Sequence, residues 1–218
     1  MSQKLLIWGA SGHALVVADI IRLRGEYEII GLIDDVNPAS YDTKFSGTTI
    51  LGGREQLDKL ASAGIKNLIC AVGDCESRLK LAALAQSKGF ALATAIHPQA
   101  VVASDVLIGP GTVIAAGAVV NPGSIIGENV IINTSASVDH ECLISDGAHL
   151  SPGVHLGGRA AVGRAAWIGI GAIVKDRVRI GAGAMIGAGA VVLEDMPDEV
   201  VAYGVPARIV RKIKAHDK

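Results

Sequence analysis

The sequence predicts an α/β domain followed by a parallel β-solenoid, and two patterns predict it. The first is a six-residue period: from Ile96 to Val192 every sixth residue is Ile, Leu or Val, seventeen times without a miss. These types make up 64 of 218 residues, so chance would give such a run at on the order of 10⁻⁹. A period of six fits neither a helix nor a hairpin meander, and it marks stacked coils of parallel strands. The second pattern is the loss of that period before Ile96, where strand-like and helix-like segments alternate around glycine turns.

Residues 1–95 read as a Rossmann-like βαβ domain with a parallel sheet. Lys4 to Trp8 is a buried strand, Gly9-Ala10-Ser11-Gly12 a turn, and His13 to Arg24 a helix. Its apolar inner face is expected to carry Leu15, Val16, Ala18, Ile20 and Leu23 beside Asp19. A second strand, Glu28 to Ile33, ends at Asp34-Asp35; Arg54 to Ala63 and Glu76 to Lys88 read as helices, Asn67 to Val72 and Ala91 to Ala95 as strands. Ligands of such sheets sit at the carboxyl ends of strands, where Ser11, Gly12, His13, Asp34, Asp35 and Gly73 collect. A nucleotide fits there, its phosphate at the helix start and a carboxylate accepting from base or ribose. Gly9-x-x-Gly12 lacks the full G-x-G-x-x-G pattern, which argues against a nicotinamide dinucleotide; the glycines also read simply as a tight turn.

Residues 96–197 form the predicted solenoid, joined through His97-Pro98. The fifth position of each hexad is mostly small, as at Ala100, Ala118, Ala136, Ala148 and Ala166, so large and small side chains fill a narrow prism together. Gly or Asn at many second positions, including Gly109, Asn121 and Gly157, is expected to provide tight turning. Three hexads make one coil. Residues 198–218 close the chain with Tyr203-Gly204-Val205-Pro206-Ala207-Arg208 and a basic tail of Arg208, Arg211, Lys212, Lys214 and Lys218, which suits either phosphates or a solvated helix face.

Polar residues that break the repeat are candidates for chemistry, and the densest break is Asn133 to Cys142. His140 falls on a corner, and the residue one coil later is Gly158. Neighbouring strands lie about 4.8 Å apart, which would bring the two together. A histidine removes protons near neutral pH, and a glycine amide can approach a developing oxyanion. Glu141 is placed to tune His140 if the two share the corner; alone, His140 also reads as a solvated turn residue. His149 and His155 are six apart; one is expected to touch an acyl donor and the other to be structural. Their spacing does not match the three-histidine zinc pattern of β-helix carbonic anhydrases, and no metal is expected.

Composition narrows the rest. Half the residues are hydrophobic and 3% aromatic, and the net charge of −1 gives no case for nucleic acid. Cys70, Cys75 and Cys142 lack metal-ligand spacing and read as reduced thiols, Cys142 pointing inward. Neither a signal peptide nor a membrane-length apolar run is visible, so a cytoplasmic protein is expected.

The turn Gly-Ala-Ser-Gly-His at 9–13, Asp34-Asp35, Val72-Gly73-Asp74, Asp139-His140-Glu141-Cys142 and Gly204-Val205-Pro206-Ala207 together resemble one subgroup of the hexapeptide-repeat acyltransferases. It comprises the bacterial N-acetyltransferases of nucleotide-linked 4-amino-4,6-dideoxysugars and the related sialic acid O-acetyltransferases. The resemblance covers nearly the whole chain. It implies a left-handed β-helix, an exception to right-handed crossovers, and acetyl-CoA as cosubstrate. It also implies a homotrimer with coenzyme between adjacent β-helices. On this basis His140 is the general base, Glu141 tunes it, and the Gly158 amide holds the thioester oxygen. His149 would contact the acetyl group or pantetheine, the backbone at Ile170 and Ala188 would line the coenzyme groove, and Ser11, Gly12, His13, Asp34, Asp35 and Gly73 would grip the nucleotide. An N-acetyltransferase is the reading the acidic pair and glycine turn favour; sialic acid O-acetylation and a non-enzymatic trimeric scaffold in glycan biosynthesis are the alternatives.

Overall fold

The computed structural model describes residues 2–214, so Lys218 of the basic tail lies outside the described residues. The chain divides into two compact units, up to Pro98 and from Gln99 onward.

In the first unit a four-stranded sheet runs in the order β2-β1-β5-β6. The strands are β1 (Gln3–Trp8), β2 (Tyr27–Ile33), β5 (Asn67–Cys70) and β6 (Ala91–Leu92), all pairing in parallel. Helices α1 (Gly12–Arg24), α2 (Leu57–Ser62) and α3 (Cys75–Ser87) connect them. A short hairpin, β3 (Lys44–Phe45) with β4 (Thr48–Thr49), interrupts the segment after β2; two residues per strand left no periodic trace in the sequence. The helix expected over 54–63 is instead a 3₁₀ turn, Arg54–Gln56, leading into α2.

Helix α1 buries Ala14, Val17, Ala18, Ile20 and Ile21, whereas Leu15 and Leu23 are exposed. This corrects the expected inner face: with apolar residues nearly all round, packing rather than pattern selects the stripe. Asp74 caps α3 by accepting from the Ser77 N–H at 2.8 Å. Arg78, fully buried, donates from Nη1 to the carbonyls of Val72 and Gly73 at 2.9 and 2.8 Å, and so fixes the turn between β5 and α3.

The second unit is a three-sided parallel solenoid whose strands, mostly two residues long, pair with those eighteen positions away, as in Val113↔Ile131 and Ser137↔His155. One side runs through Val101–Val102, Val119–Val120, Ser137–Val138, His155–Leu156, Ile173–Val174 and Val191–Val192. The second begins at Leu107–Ile108 and ends at Arg179–Ile180; the third runs through Val113–Ile114, His149–Leu150 and Met185–Ile186 and is extended by Val200–Gly204. The last described strand, Ala207–Lys212, folds back antiparallel and carries Arg208, Arg211 and Lys212. Among the described residues the helix considered for this tail is therefore absent: these three cations sit on a strand.

The repeat's first position points inward. Ile132, Val138, Ile144 and Leu150 are fully buried, as are the fifth-position alanines Ala136, Ala148 and Ala166. Each buried aliphatic contributes roughly 1.5–3 kcal/mol. Turning is achieved differently from expectation. Every fourth position from Gly111 to Gly189 has positive φ, filled by Gly or by Asn129, Ser135, Glu141, Arg159, Ala165 and Arg177. The second-position glycines serve close approach: a Cβ on Gly109 would lie 2.6 Å from the Gly127 carbonyl carbon one coil on. No helix among the described residues is long and apolar enough to cross a membrane.

Leu150→Ala should therefore cost about 2–5 kcal/mol in urea unfolding. Ala165→Gly, at φ 55°, should stay within about 1 kcal/mol of the parent or exceed it.

Candidate active site

His140 stands on the corner between the strands Ser137–Val138 and Leu143–Ile144. Its backbone N–H is held by the Asp139 carboxylate at 2.7 Å, which also accepts from Asn121 Nδ2 at 3.1 Å. These two bonds, the His140 N–H first, keep the Asp139 carboxyl below the usual carboxylate range. Glu141 adopts φ 56°, and that sharp bend turns its carboxylate back toward its neighbour, so that Oε2 lies 2.9 Å from His140 Nδ1. A carboxylate only accepts, so Nδ1 carries a proton, and in the neutral ring the lone pair is on Nε2.

Arg159, one coil on, donates from Nε to the same Glu141 Oε2 at 2.9 Å and places Nη2 at 2.9 Å. Arg159 chiefly, and His140 after it, hold the Glu141 carboxyl below its ordinary range. Gly158 lies under the imidazole: a Cβ there would be 2.5 Å from His140 Nε2. Its carbonyl accepts from the Arg177 N–H at 2.9 Å, and among the described residues no backbone bond between coils uses its own N–H. His140, Glu141 and Gly158 thus come together as their spacing requires.

The groove beside them has a volume of about 580 Å³ and is bordered by His155, Lys175 and Arg177 as well as His140 and Gly158. His155 Nδ1 is 2.8 Å from Ser137 Oγ, on the same side of the solenoid. Of the two histidines left open by spacing, it is His155 that borders this groove. His149 is 7% exposed and stacks on Trp167 with centroids 5.2 Å apart and an interplanar angle of 18°. Trp167 Nε1 donates to Ser151 Oγ at 2.9 Å, and Asn133 Nδ2 lies 3.4 Å from His149 Nε2. Ile170 and Ala188 are exposed on the corner between the third and first sides, where the Gly189 N–H donates to the Ile170 carbonyl at 2.8 Å. The groove around His140 includes none of these three. Cys142 is buried as its register required, and burial pushes its thiol up, away from nucleophilic use.

The first unit holds a separate pocket of about 320 Å³ at the carboxyl ends of β1, β2 and β5. Gly9, Asp34 and Asp35 line it, together with Trp8, Arg54 and Lys80. Ser11, Gly12, His13 and Gly73 do not. Asp35 is engaged internally: it accepts from Trp8 Nε1 at 3.1 Å and from Arg54 through N and Nη2 at 2.7 and 3.0 Å. The Asp34 carboxylate accepts from the N–H groups of Val36 and Asn37, at 3.4 and 3.3 Å. Gly9 is sterically required, since a Cβ would lie 2.7 Å from the Ala71 carbonyl oxygen, whereas one on Gly12 or Gly73 would meet nothing. Ser77, Lys80, Leu81 and Leu84 form one face of α3 over this pocket, a helical spacing readable in the sequence once the lining face is known.

Burial, and then Arg78, push the His13 imidazole down to about 4. A depressed folded pKa means the unfolded chain binds the proton first, so stability present above about pH 6.5 should be lost between there and about pH 4, by up to about 3 kcal/mol. His13→Gln should flatten that part of a stability–pH curve measured by urea unfolding. At the other site, Gly158→Ala should displace the His140 ring, visible in a crystal structure.

Two family models match the chain: the PglD N-terminal domain over residues 4–84, and the bacterial transferase hexapeptide (six repeats) over residues 159–194. Among solved structures, PerB from Caulobacter crescentus in complex with CoA and GDP-perosamine is 41% identical, covering 94% of this chain and 96% of that one with a TM-score of 0.90. The acetyltransferase domain of PglB from Neisseria gonorrhoeae in complex with acetyl coenzyme A is 37% identical, covering 96% and 100% with a TM-score of 0.90. WeeI from Acinetobacter baumannii is 25% identical over 96% and 100%, with a TM-score of 0.85. The solenoid matches the left-handed β-helix of this group. With its α/β unit, its three-sided repeat and these relatives, the chain belongs to the nucleotide-sugar aminosugar N-acetyltransferases of the hexapeptide-repeat family.

Proposed function

We propose that this chain transfers the acetyl group of acetyl-CoA to the C4 amine of a nucleotide-linked 4-amino-4,6-dideoxysugar, directly and with His140 as general base. The observation that carries the reading is the His140 ring over Gly158 with its Nδ1 committed to Glu141, which makes Nε2 the nitrogen that a base would use. The relatives crystallised with GDP-perosamine, CoA or acetyl-CoA support the choice of donor and acceptor class.

In this mechanism the amine nitrogen attacks the thioester carbon as His140 Nε2 takes a proton from it. The carbonyl oxygen becomes an oxyanion, stabilised by the Gly158 N–H. Collapse breaks the C–S bond, and the imidazolium returns its proton to the departing sulfur, giving CoA thiol and the amide. Glu141 holds the ring and stabilises its charged form between the two transfers. Buried Cys142 takes no part. His149 contacts the acetyl or pantetheine end, and the backbone at Ile170 and Ala188 lines the coenzyme path, completed by a neighbouring β-helix of a homotrimer. The pocket of the first unit receives the nucleotide through Gly9, Asp34 and Lys80, with the turn at Ser11, Gly12 and His13 and the Asp35 and Gly73 loops framing it. The chain acts in the cytoplasm, where acetyl-CoA and sugar nucleotides are both present.

Incubation with acetyl-CoA and a panel of nucleotide-linked 4-amino-4,6-dideoxysugars, with free and CMP-linked sialic acids beside them, should give an acetylated amino sugar by mass spectrometry. Acetylation of sialic acid alone would replace the reading with O-transfer, and no product from any acceptor would favour the scaffold alternative. His140→Ala should lower turnover by about 10²-fold or more with acetyl-CoA binding retained.

A further inference from the structure

We infer that Arg159 is a positioning residue for the His140–Glu141 pair, clamping the carboxylate and offsetting its charge so that the histidine stays available as a base. The inference rests on the reading of His140 as the base. Three N–H groups converge on one oxygen, Glu141 Oε2: His140 Nδ1, Arg159 Nε and Arg159 Nη2, each at 2.9 Å. Both side chains of the ion pair are half exposed, so a lone Glu141 would be free to leave the ring for solvent. The guanidinium fork removes that freedom by gripping the carboxylate with two donors from one rigid plane.

The backbone reinforces the clamp. The Arg159 N–H donates to the His140 carbonyl at 2.9 Å, which ties the residue carrying the guanidinium to the residue carrying the imidazole. Arg159 also follows Gly158, so one dipeptide supplies both the space for the ring and the grip on its partner. Arg159 has φ 61° at a fourth position of the repeat, where Gly123, Gly147 and Gly171 turn the chain without strain.

The charge has a definite sign of effect. A carboxylate against Nδ1 favours the imidazolium, while the base must begin neutral; a cation on the same oxygen opposes that tendency. Other charged groups bordering His140 are Asp139 on its own coil, His155 on the adjacent side, and Lys175, Asp176 and Arg177 one coil beyond Gly158. Asp139 is occupied by the His140 N–H and Asn121, which leaves Glu141 and Arg159 as the pair bonded to each other behind the ring.

The test is a pH titration of the histidine Cε1–H NMR signals in the full chain, with His140 assigned by the peak missing in His140→Ala. In Arg159→Gly, which relieves the positive φ and should unfold at or above the parent temperature, the His140 midpoint should move to higher pH. In Glu141→Gln it should move to lower pH, and Arg159→Lys should restore part of the parent behaviour. With GDP-perosamine as the acceptor probe, Arg159→Gly should lose about threefold to tenfold in kcat/KM near pH 6 with the KM for acetyl-CoA unchanged. A midpoint that stays in place, or moves down, in folded Arg159→Gly overturns the assignment. Failure of the underlying reading looks different: His140→Ala would then turn over like the parent, whatever Arg159→Gly does to the titration.

Discussion

The constraint on which the solenoid depends is the return of the backbone to the same place after eighteen residues. Each strand's N–H groups find carbonyls one coil away, as Ile131 finds Ala148 and His149 finds Ala166. A pair of residues is too short to be a stable strand alone; stacking supplies the missing partners and buries one aliphatic column. Every inward position, every corner and every surface column follows from that single repeat. Geometry at the candidate site is inherited from it: residues distant in sequence are neighbours by construction, and small changes in side chain suffice to place chemistry on a rigid frame.

The candidate site shows how such a frame accepts function at its corners rather than on its sides. Along the sides, the outward residue of each pair must fit a flat sheet. At a corner the chain has already left the sheet, and a residue with positive φ can throw its side chain back across its neighbour. Glu141 and Arg159 occupy such corners in consecutive coils, and their meeting with His140 combines two ordinary features, a turn and a stacking interval. The α/β unit uses another logic, with its pocket formed where strand ends stop and the turns between β5 and α3 are braced from below by buried Arg78.

Legibility in the sequence followed the strength of the underlying constraint. The solenoid was readable because one aliphatic per hexad maps onto one buried position, and His140 over Gly158 was readable because the stacking interval is fixed. The role of the second-position glycines was misread: composition marks a glycine without saying whether it bends the chain or makes room for it, and only the approach of Gly127 to Gly109 decides. Helix α1 was misread because Leu15 and Leu23 are as apolar as the residues it buries. The glycine turn drew attention to Ser11, Gly12 and Gly73, yet the pocket is walled by Lys80 and Leu84 from α3, whose relevance depends on which helical face meets the strand ends. Arg159 obeys the same interval as Gly158. Its importance lay hidden because an arginine on a turn is common on any surface, and only the shared oxygen of Glu141 distinguishes it.

The antiparallel return of Ala207–Lys212 ends the parallel register on the third side of the solenoid. A solenoid ends in an open edge that presents unpaired backbone groups in the register a further coil would use, and another copy could in principle continue it. Reversing direction on the last strand breaks that register, and exposed Arg208, Arg211 and Lys212 place like charges along the outermost row. Edge-to-edge growth would then need mismatched ladders and facing cations at once. The repeat that makes stacking favourable thus carries, at this edge, a strand that does not template another coil.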